Sequence, residues 1–139
     1  MIRLARPEDA AALGDILHDW VEATPWMPNL HPRADAGHFM ADLIGSSEVY
    51  VLGRPSGFVV RIDEEVRLLH LAAEARGQGF GTWLLNFAKQ DRNRLTLWTF
   101  QANTGARRFY AREGFREVEE TDGSRNEEQL PDVRLEWLR

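Results

Sequence analysis

Apolar residues along the chain recur with two spacings, and the switches between them mark out the elements. Ile2 to Ala5 has the length and composition of a short strand. Leu13, Ile16, Leu17 and Trp20 then fall on one face at helical spacing. The Pro7-Glu8-Asp9 start puts proline in the first turn and acids at the positive end of the helix dipole. Thr24 to Pro32 holds three prolines and no period, which predicts a loop. It nevertheless carries Trp26, Met27 and Leu30, so it is expected to cover something. A second helix presents Phe39, Met40, Leu43 and Ile44, and Gly45 is expected to end it.

The spacing then shortens. Glu48 to Leu52, Phe58 to Ile62 and Val66 to Ala72 are strand-like runs separated by turn chemistry, the pattern of an antiparallel meander. A glycine-rich segment follows, then a helix with Phe80, Leu84, Phe87 and Ala88 inward. Leu95 to Phe100 is an apolar, central strand. Asn103 caps a helix whose face is Ala106, Phe109 and Tyr110; Gly114 ends it and Phe115 enters a strand. After a polar loop from Asp122 to Pro131, Val133, Leu135 and Trp137 alternate along a last strand. This Val133 to Leu138 strand is expected at a sheet edge, where it would pair with a second copy in a homodimer. The order β-α-α-β-β-β-α-β-α-β-β includes a parallel crossover from Val66 to Phe100. It predicts an α+β fold, a mixed, mostly antiparallel sheet of about seven strands with four helices.

Composition narrows the class. The chain of 139 residues is expected to be one domain, 1–139, and 43% apolar content suffices for a core. Cysteine is absent, which excludes disulfides, thiol nucleophiles and thiolate metal sites and fits a reducing compartment. The N-terminal stretch lacks a signal-peptide pattern, and no apolar run approaches the ~20 residues of a membrane span. A cytoplasmic protein without metal or membrane attachment is expected. A net charge of −5 argues against nucleic-acid binding by blanket electrostatics. The charge is uneven. Between Arg76 and Arg116 stand eight basic residues against Asp91 and Glu113, whereas the remainder holds nine basic and twenty acidic residues. The alternatives are an anionic ligand at the basic centre with a cationic partner elsewhere, or simply solvated helix faces.

The glycine-rich segment is Arg76-Gly77-Gln78-Gly79-Phe80-Gly81-Thr82, between a strand and a helix. Alternate glycines let backbone N–H groups converge, and the helix N-terminus adds partial positive charge, which together suit a diphosphate. Thr82 stands where a dinucleotide fingerprint needs its last glycine or alanine. A Walker loop would need Gly-Lys-Ser/Thr, and a kinase loop a far longer chain. A tight turn with a good cap is the remaining alternative.

This loop resembles the acetyl-CoA motif of the GCN5-related N-acetyltransferase (GNAT) superfamily, Gln/Arg-x-x-Gly-x-Gly/Ala, with Arg76, Gly79 and Gly81 in the motif's places. Leu69 to Glu74 resembles the family's preceding strand and bulge, with Ala73 where a proline is common. Asn103, Ala106, Phe109-Tyr110 and Gly114-Phe115 are similar to its second signature. The resemblance spans essentially the whole chain and implies a single-domain α/β/α fold. It implies acetyl-CoA as co-substrate and an amine of a small molecule or a protein as acceptor. The alternative on the same fold is a non-catalytic acyl-CoA-binding module.

Acetyl transfer needs a neutral amine, a donor for the tetrahedral oxyanion and a proton for the leaving thiolate. The resemblance implies that Arg76, Gly77, Gln78, Gly79, Phe80, Gly81 and Thr82 bind the cofactor, with the N–H groups of Gln78 to Gly81 on the pyrophosphate and Arg76 at the entrance. It likewise implies pantetheine beside Leu69 and Leu71, with the Leu71 N–H as oxyanion donor. Tyr110 is the implied general acid; otherwise it is a buried helix-face aromatic. Asn103 is a cofactor contact, a helix cap, or both. Glu65 matches a family base position, and strand alternation would put it on one face with Arg67, Leu69 and Leu71. The alternatives to it are His70 and a water relay. The acidic balance outside the basic centre favours a cationic acceptor, flanked by the Thr24 to Pro32 and Asp122 to Pro131 loops.

Overall fold

A computed structural model describes residues 1–139. Its strands are β1 (Ile2–Leu4), β2 (Glu48–Leu52), β3 (Gly57–Ile62), β4 (Glu65–Leu71), β5 (Arg94–Phe100), β6 (Arg116–Thr121) and β7 (Asp132–Leu138). Its helices are α1 (Ala10–Ala23), α2 (Arg33–Ser46), α3 (Phe80–Lys89) and α4 (Thr104–Arg112). The element order is the expected one. Pro7–Asp9 forms a separate 3₁₀ turn ahead of α1, fixed where Asp9 accepts from the Arg6 N–H (2.7 Å) and from both Arg3 guanidinium nitrogens. Ala73–Ala75 forms a second 3₁₀ turn. No helix is long and apolar enough to cross a membrane.

The strands form one sheet in the order β1-β2-β3-β4-β5-β7-β6, antiparallel except for the β4–β5 contact. β7 therefore lies inside the sheet. It pairs with β5 from Arg94↔Leu138 to Phe100↔Asp132 and with β6 on its other side. The expected edge pairing of Val133 to Leu138 with a second copy is excluded, because both of its rows of backbone groups are already used. The last strand inserts between two earlier ones because its Val133, Leu135, Trp137 face continues the apolar surface of β5.

Two apolar clusters cover the two faces. Under α3 and α4 lie Val59, Val66, Leu84, Leu85, Leu95, Leu97, Val133 and Leu135, joined by Tyr110 and Phe115. Under α1 and α2 lie Leu13, Ile16, Met40, Leu43, Val49, Val51, Phe58 and Val60. Leu85 is fully buried, whereas Phe87, expected inward, leans on the Tyr50 ring at 4.8 Å. Phe39, expected in the core, is 42% exposed. At the C-terminal end of α3, the buried Arg61 guanidinium donates to the Ala88 carbonyl (2.5 Å) and pairs with Asp91 (2.7 Å) and Glu48 (2.5 Å).

Gly14 and Gly37 let α1 and α2 touch backbone to backbone. A Cβ on Gly14 would come within 2.6 Å of the Gly37 nitrogen and 2.8 Å of the Ala36 carbonyl carbon. Gly45, expected to stop α2, instead continues it to Ser46, and a Cβ there would meet nothing. The two positions predict opposite outcomes. Gly14→Ala should destabilise by about 1–3 kcal/mol through overpacking, despite its better helix propensity. Gly45→Ala should stabilise by about 0.5–1 kcal/mol. Urea unfolding midpoints of the two variants check both signs.

Candidate functional site

β4 and β5 run side by side but pair at one position, Glu65↔Thr96, where the Thr96 N–H donates to the Glu64 carbonyl (2.8 Å). Beyond it they separate around a cavity of about 640 Å³. Its walls include Leu69 and His70 from β4, Trp98 and Phe100 from β5, Trp20 from α1 and Tyr110 from α4. The Ala72 N–H donates to the Ser56 carbonyl, just ahead of β3 (2.8 Å). Hydrogen-bonded pairs alternate along an antiparallel ladder, so Leu71, opposite Gly57, and Leu69, opposite Val59, turn their N–H and C=O groups away from β3 and into the gap. The sheet thus leaves a short row of backbone groups without a strand partner, of which the Leu71 carbonyl accepts from the Arg76 side chain.

The glycine loop stands at the C-terminal end of β4. The N–H groups of Gly77 to Thr82 donate to no acceptor within the protein. Gly77 and Gly79 have φ of 74° and 85°, which converges these groups on one side. The loop is fastened from behind: the Gln78 amide donates to the Glu74 carbonyl (2.9 Å) and the Thr82 hydroxyl to Glu113 (3.0 Å). Gly81 has a different role, since a Cβ there would come within 3.3 Å of the Phe109 ring of α4. Free N–H groups at a helix N-terminus suit the expected pyrophosphate.

Much of the basic stretch is neutralised by tertiary pairing. Arg92 meets Glu48, Arg94 meets Glu64 and Glu136, Arg107 meets Glu117 and Glu120, and Arg116 meets Glu136. Arg76, Arg108 and Arg112 have no carboxylate partner and stay exposed. The Arg76 side chain donates to the Leu71 carbonyl (3.3 Å), which places its charge at the junction of loop and gap.

Of the expected reacting groups, the structure gathers some and separates others. Tyr110 is buried and lines the cavity, and its hydroxyl makes no hydrogen bond to the protein. Burial pushes the phenol above its ordinary value, so it stays protonated. Asn103 lines the same cavity, and its side-chain oxygen accepts from the Ala106 N–H (3.1 Å); it caps α4 and leaves its amide NH₂ free. Glu65 is not part of this lining. The β3–β4 register shifts between Val60↔Leu68 and Arg61↔Val66, which makes Arg67 a bulge residue. Val66 thereby shares a face with Leu69 and Leu71, and Glu65 turns to the opposite one, so the expected Glu65, Arg67, Leu69, Leu71 face does not form. Glu65 instead stands 3.7 Å from Arg67 at the paired end of the gap. His70, the rival, lines the cavity. Burial pushes its imidazole down to about 4, with the Arg76 charge adding to the effect.

The side of the cavity under α1 is aromatic. The Trp20 ring lies 5.1 Å from His70 and 5.8 Å from Trp26, which in turn lies 5.8 Å from Phe100. The proline-rich loop does cover something, as its apolar residues imply: Trp26 backs the two cavity rings, and Met27 is buried beneath them. Helical spacing alone puts Trp20 on the core face of α1, and Trp98 and Phe100 read as ordinary strand residues. The only signal for them was their bulk, which a core position explains equally well.

A family model described as an acetyltransferase (GNAT) domain matches residues 45–117, more than half of the chain. No curated protein matches the sequence. Among solved structures, the apo form of YjaB from Escherichia coli superposes with a TM-score of 0.81 at 22% identity, covering 99% of this chain and 96% of that one. A GCN5-related N-acetyltransferase from Rhodopseudomonas palustris gives 0.83 at 21% identity over 100% and 95%. The yncA structure from Salmonella typhimurium, solved with its cofactor acetyl-CoA, gives 0.72 at 17% identity over 99% and 92%. At these identities the likenesses concern the fold.

The lowered His70 value predicts a pH dependence of stability. The folded protein takes up this proton only near pH 4, whereas the unfolded chain does so near its ordinary 6.5. Between those values the unfolded state binds more protons, so stability falls as pH drops from about 6.5 to 4, by roughly 2–3 kcal/mol. Urea unfolding at pH 7 and pH 4.5 should show this loss in the wild type and a clearly smaller one in His70→Gln.

Proposed function

The chain belongs to the GNAT acetyltransferase domain family and is an acetyltransferase, and from that premise we propose that it acetylates a primary amine, borne by a small cationic molecule or by a protein. The observation that supports this best is the continuity of one gap with three kinds of unused group along it. These are the free N–H groups of Gly77 to Thr82, the inward backbone of Leu69 and Leu71, and the unpartnered Tyr110 hydroxyl.

Acetyl-CoA, when bound, supplies a thioester carbonyl open to attack. The loop N–H groups and Arg76 hold its phosphates, and Leu69 and Leu71 pair with its pantetheine as a further strand would. The amine nitrogen attacks the carbonyl, and the Leu71 N–H donates to the oxygen that becomes negative. As the C–N bond replaces the C–S bond, Tyr110 gives its proton to the departing sulfur, which would otherwise leave as a thiolate. Of His70 and Glu65 only His70 lines the cavity, so it is the one placed to relay the proton of the attacking nitrogen; its value of about 4 makes it a weak base, which passes that proton on to water. Asn103 steadies the cofactor arm with its free amide.

Thermal melting with acetyl-CoA tests the first half of this reading. A hundredfold excess over Kd should stabilise by about 2.7 kcal/mol, and Gly79→Val should abolish the shift, because valine resists a φ of 85°. An unshifted melting temperature at millimolar acetyl-CoA contradicts the cradle.

Tyr110→Phe tests the second half. Its edge-on contacts with Phe109 (5.1 Å) and Phe115 (5.4 Å) are kept, so acetyl-CoA affinity should hold while turnover drops about 10²-fold. With an acyl donor whose thiol has a low pKa the drop should shrink, because that thiolate leaves unaided. Equal losses with both donors would make Tyr110 a packing residue.

A further inference from the structure

The rim of the cavity joins the two loops that differ most from regular structure. His31, from the loop between α1 and α2, has its Nε2 2.6 Å from Glu127, which belongs to the loop between β6 and β7. Asp35 approaches the same imidazole at 3.9 Å. Arg67, the lining guanidinium, stands 3.7 Å from Glu65. That leaves Glu128 as the one lining carboxylate without an ionic partner in the protein, and it is half-buried.

Glu128 is not on a loose segment. Asn126 closes the turn beneath it, donating to the Leu130 carbonyl (2.8 Å) and accepting from the Leu130 N–H (3.2 Å). At the base of the loop, Gly123 passes so close to Leu130 that a Cβ could not be inserted. A closed turn thus holds a carboxylate with no partner at the mouth of a cavity, beside Asp35 and Glu127, which share the single His31 imidazole. Inward from it the walls are apolar: Trp20 and Phe100, both backed by Trp26, with Trp98, Phe39 and Leu30 at the rim.

We propose that the acceptor is a primary amine on an aromatic or similarly flat apolar skeleton, and that Glu128 is the residue that selects it. This rests on the acetyl-transfer reading above. The ammonium is drawn from water to Glu128 while the skeleton lies against the rings, where a cation also gains from the aromatic faces. The ammonium then releases one proton to water, the neutral amine attacks the thioester, and the nitrogen loses its second proton by the His70 relay as the C–S bond breaks and Tyr110 protonates the sulfur. Polyamines have no flat apolar skeleton to lie against the rings, and amines that also carry a carboxylate are repelled by Glu128.

The test is thiol release from acetyl-CoA with 2-phenylethylamine, tryptamine, ethylamine, spermidine and kanamycin, for the wild type and Glu128→Gln, with acetyl-CoA binding measured separately by calorimetry. The two aryl amines should exceed the other three in kcat/KM by at least about tenfold. In Glu128→Gln their KM should rise about ten- to hundredfold, as expected for a lost charge-assisted contact. Its kcat should change less than about threefold, and its acetyl-CoA affinity not at all. Preference for spermidine or kanamycin, ethylamine performing as well as the aryl amines, or an unchanged KM in Glu128→Gln overturns the proposal. If acetyl-CoA binds but no aryl amine is acetylated, this inference falls alone. If acetyl-CoA does not bind, the acetyl-transfer reading falls with it.

Discussion

A parallel strand pair that stops pairing after one position governs the rest of this molecule. β4 is fully satisfied on its other side by β3, and β5 by β7, so neither strand needs the other for its fold. The two halves of the sheet are held together instead by side chains. The cluster under α3 and α4 takes Val59 and Val66 from one half and Leu95, Leu97, Val133 and Leu135 from the other. The cluster under α1 and α2 draws its strand residues from the first half alone. The gap is therefore closed below by apolar packing and open above, where the cavity lies. The backbone groups of Leu69 and Leu71 therefore have no strand partner on that side.

The glycine loop shows how one short motif answers several demands. Gly77 and Gly79 supply backbone conformations, and Gly81 supplies room for Phe109. Side chains of the same loop, Gln78 and Thr82, face backward to fix it. A ligand that uses only main-chain donors can thus be held by a loop whose side chains are all engaged elsewhere or turned outward. Gly14, at the α1–α2 contact, serves packing alone.

Charge behaves differently in sequence and in space. The basic stretch from Arg76 to Arg116 is largely cancelled by acids distant along the chain, and three exposed arginines remain near the loop and on α4. Exposed pairs of this kind add little to stability. Their effect is to cancel positive charge along β5 and β6 and to leave Arg76 unpaired beside the glycine loop. The acidic excess likewise concentrates, at the cavity, on Asp35, Glu127 and Glu128, of which Glu128 alone has no partner.

The element order, most of the helix faces, the glycine loop ahead of α3 and the Asn103 cap are legible in the chain alone. Each of these depends on local spacing or on a motif whose chemistry is contained within a few residues. Whatever depends on register and on distant neighbours emerges only on folding. A one-residue bulge at Arg67 moves Glu65 away from Leu69 and Leu71, and alternation cannot reveal a bulge before the partner strand is known. The insertion of β7 between β5 and β6 turns an expected edge into an interior strand. Trp20, Phe100 and Glu128 become one cavity wall only because a helix, a strand and a loop far apart in the chain meet over a gap. Local pattern specifies which face of an element is apolar; only packing specifies which apolar faces are left without a partner.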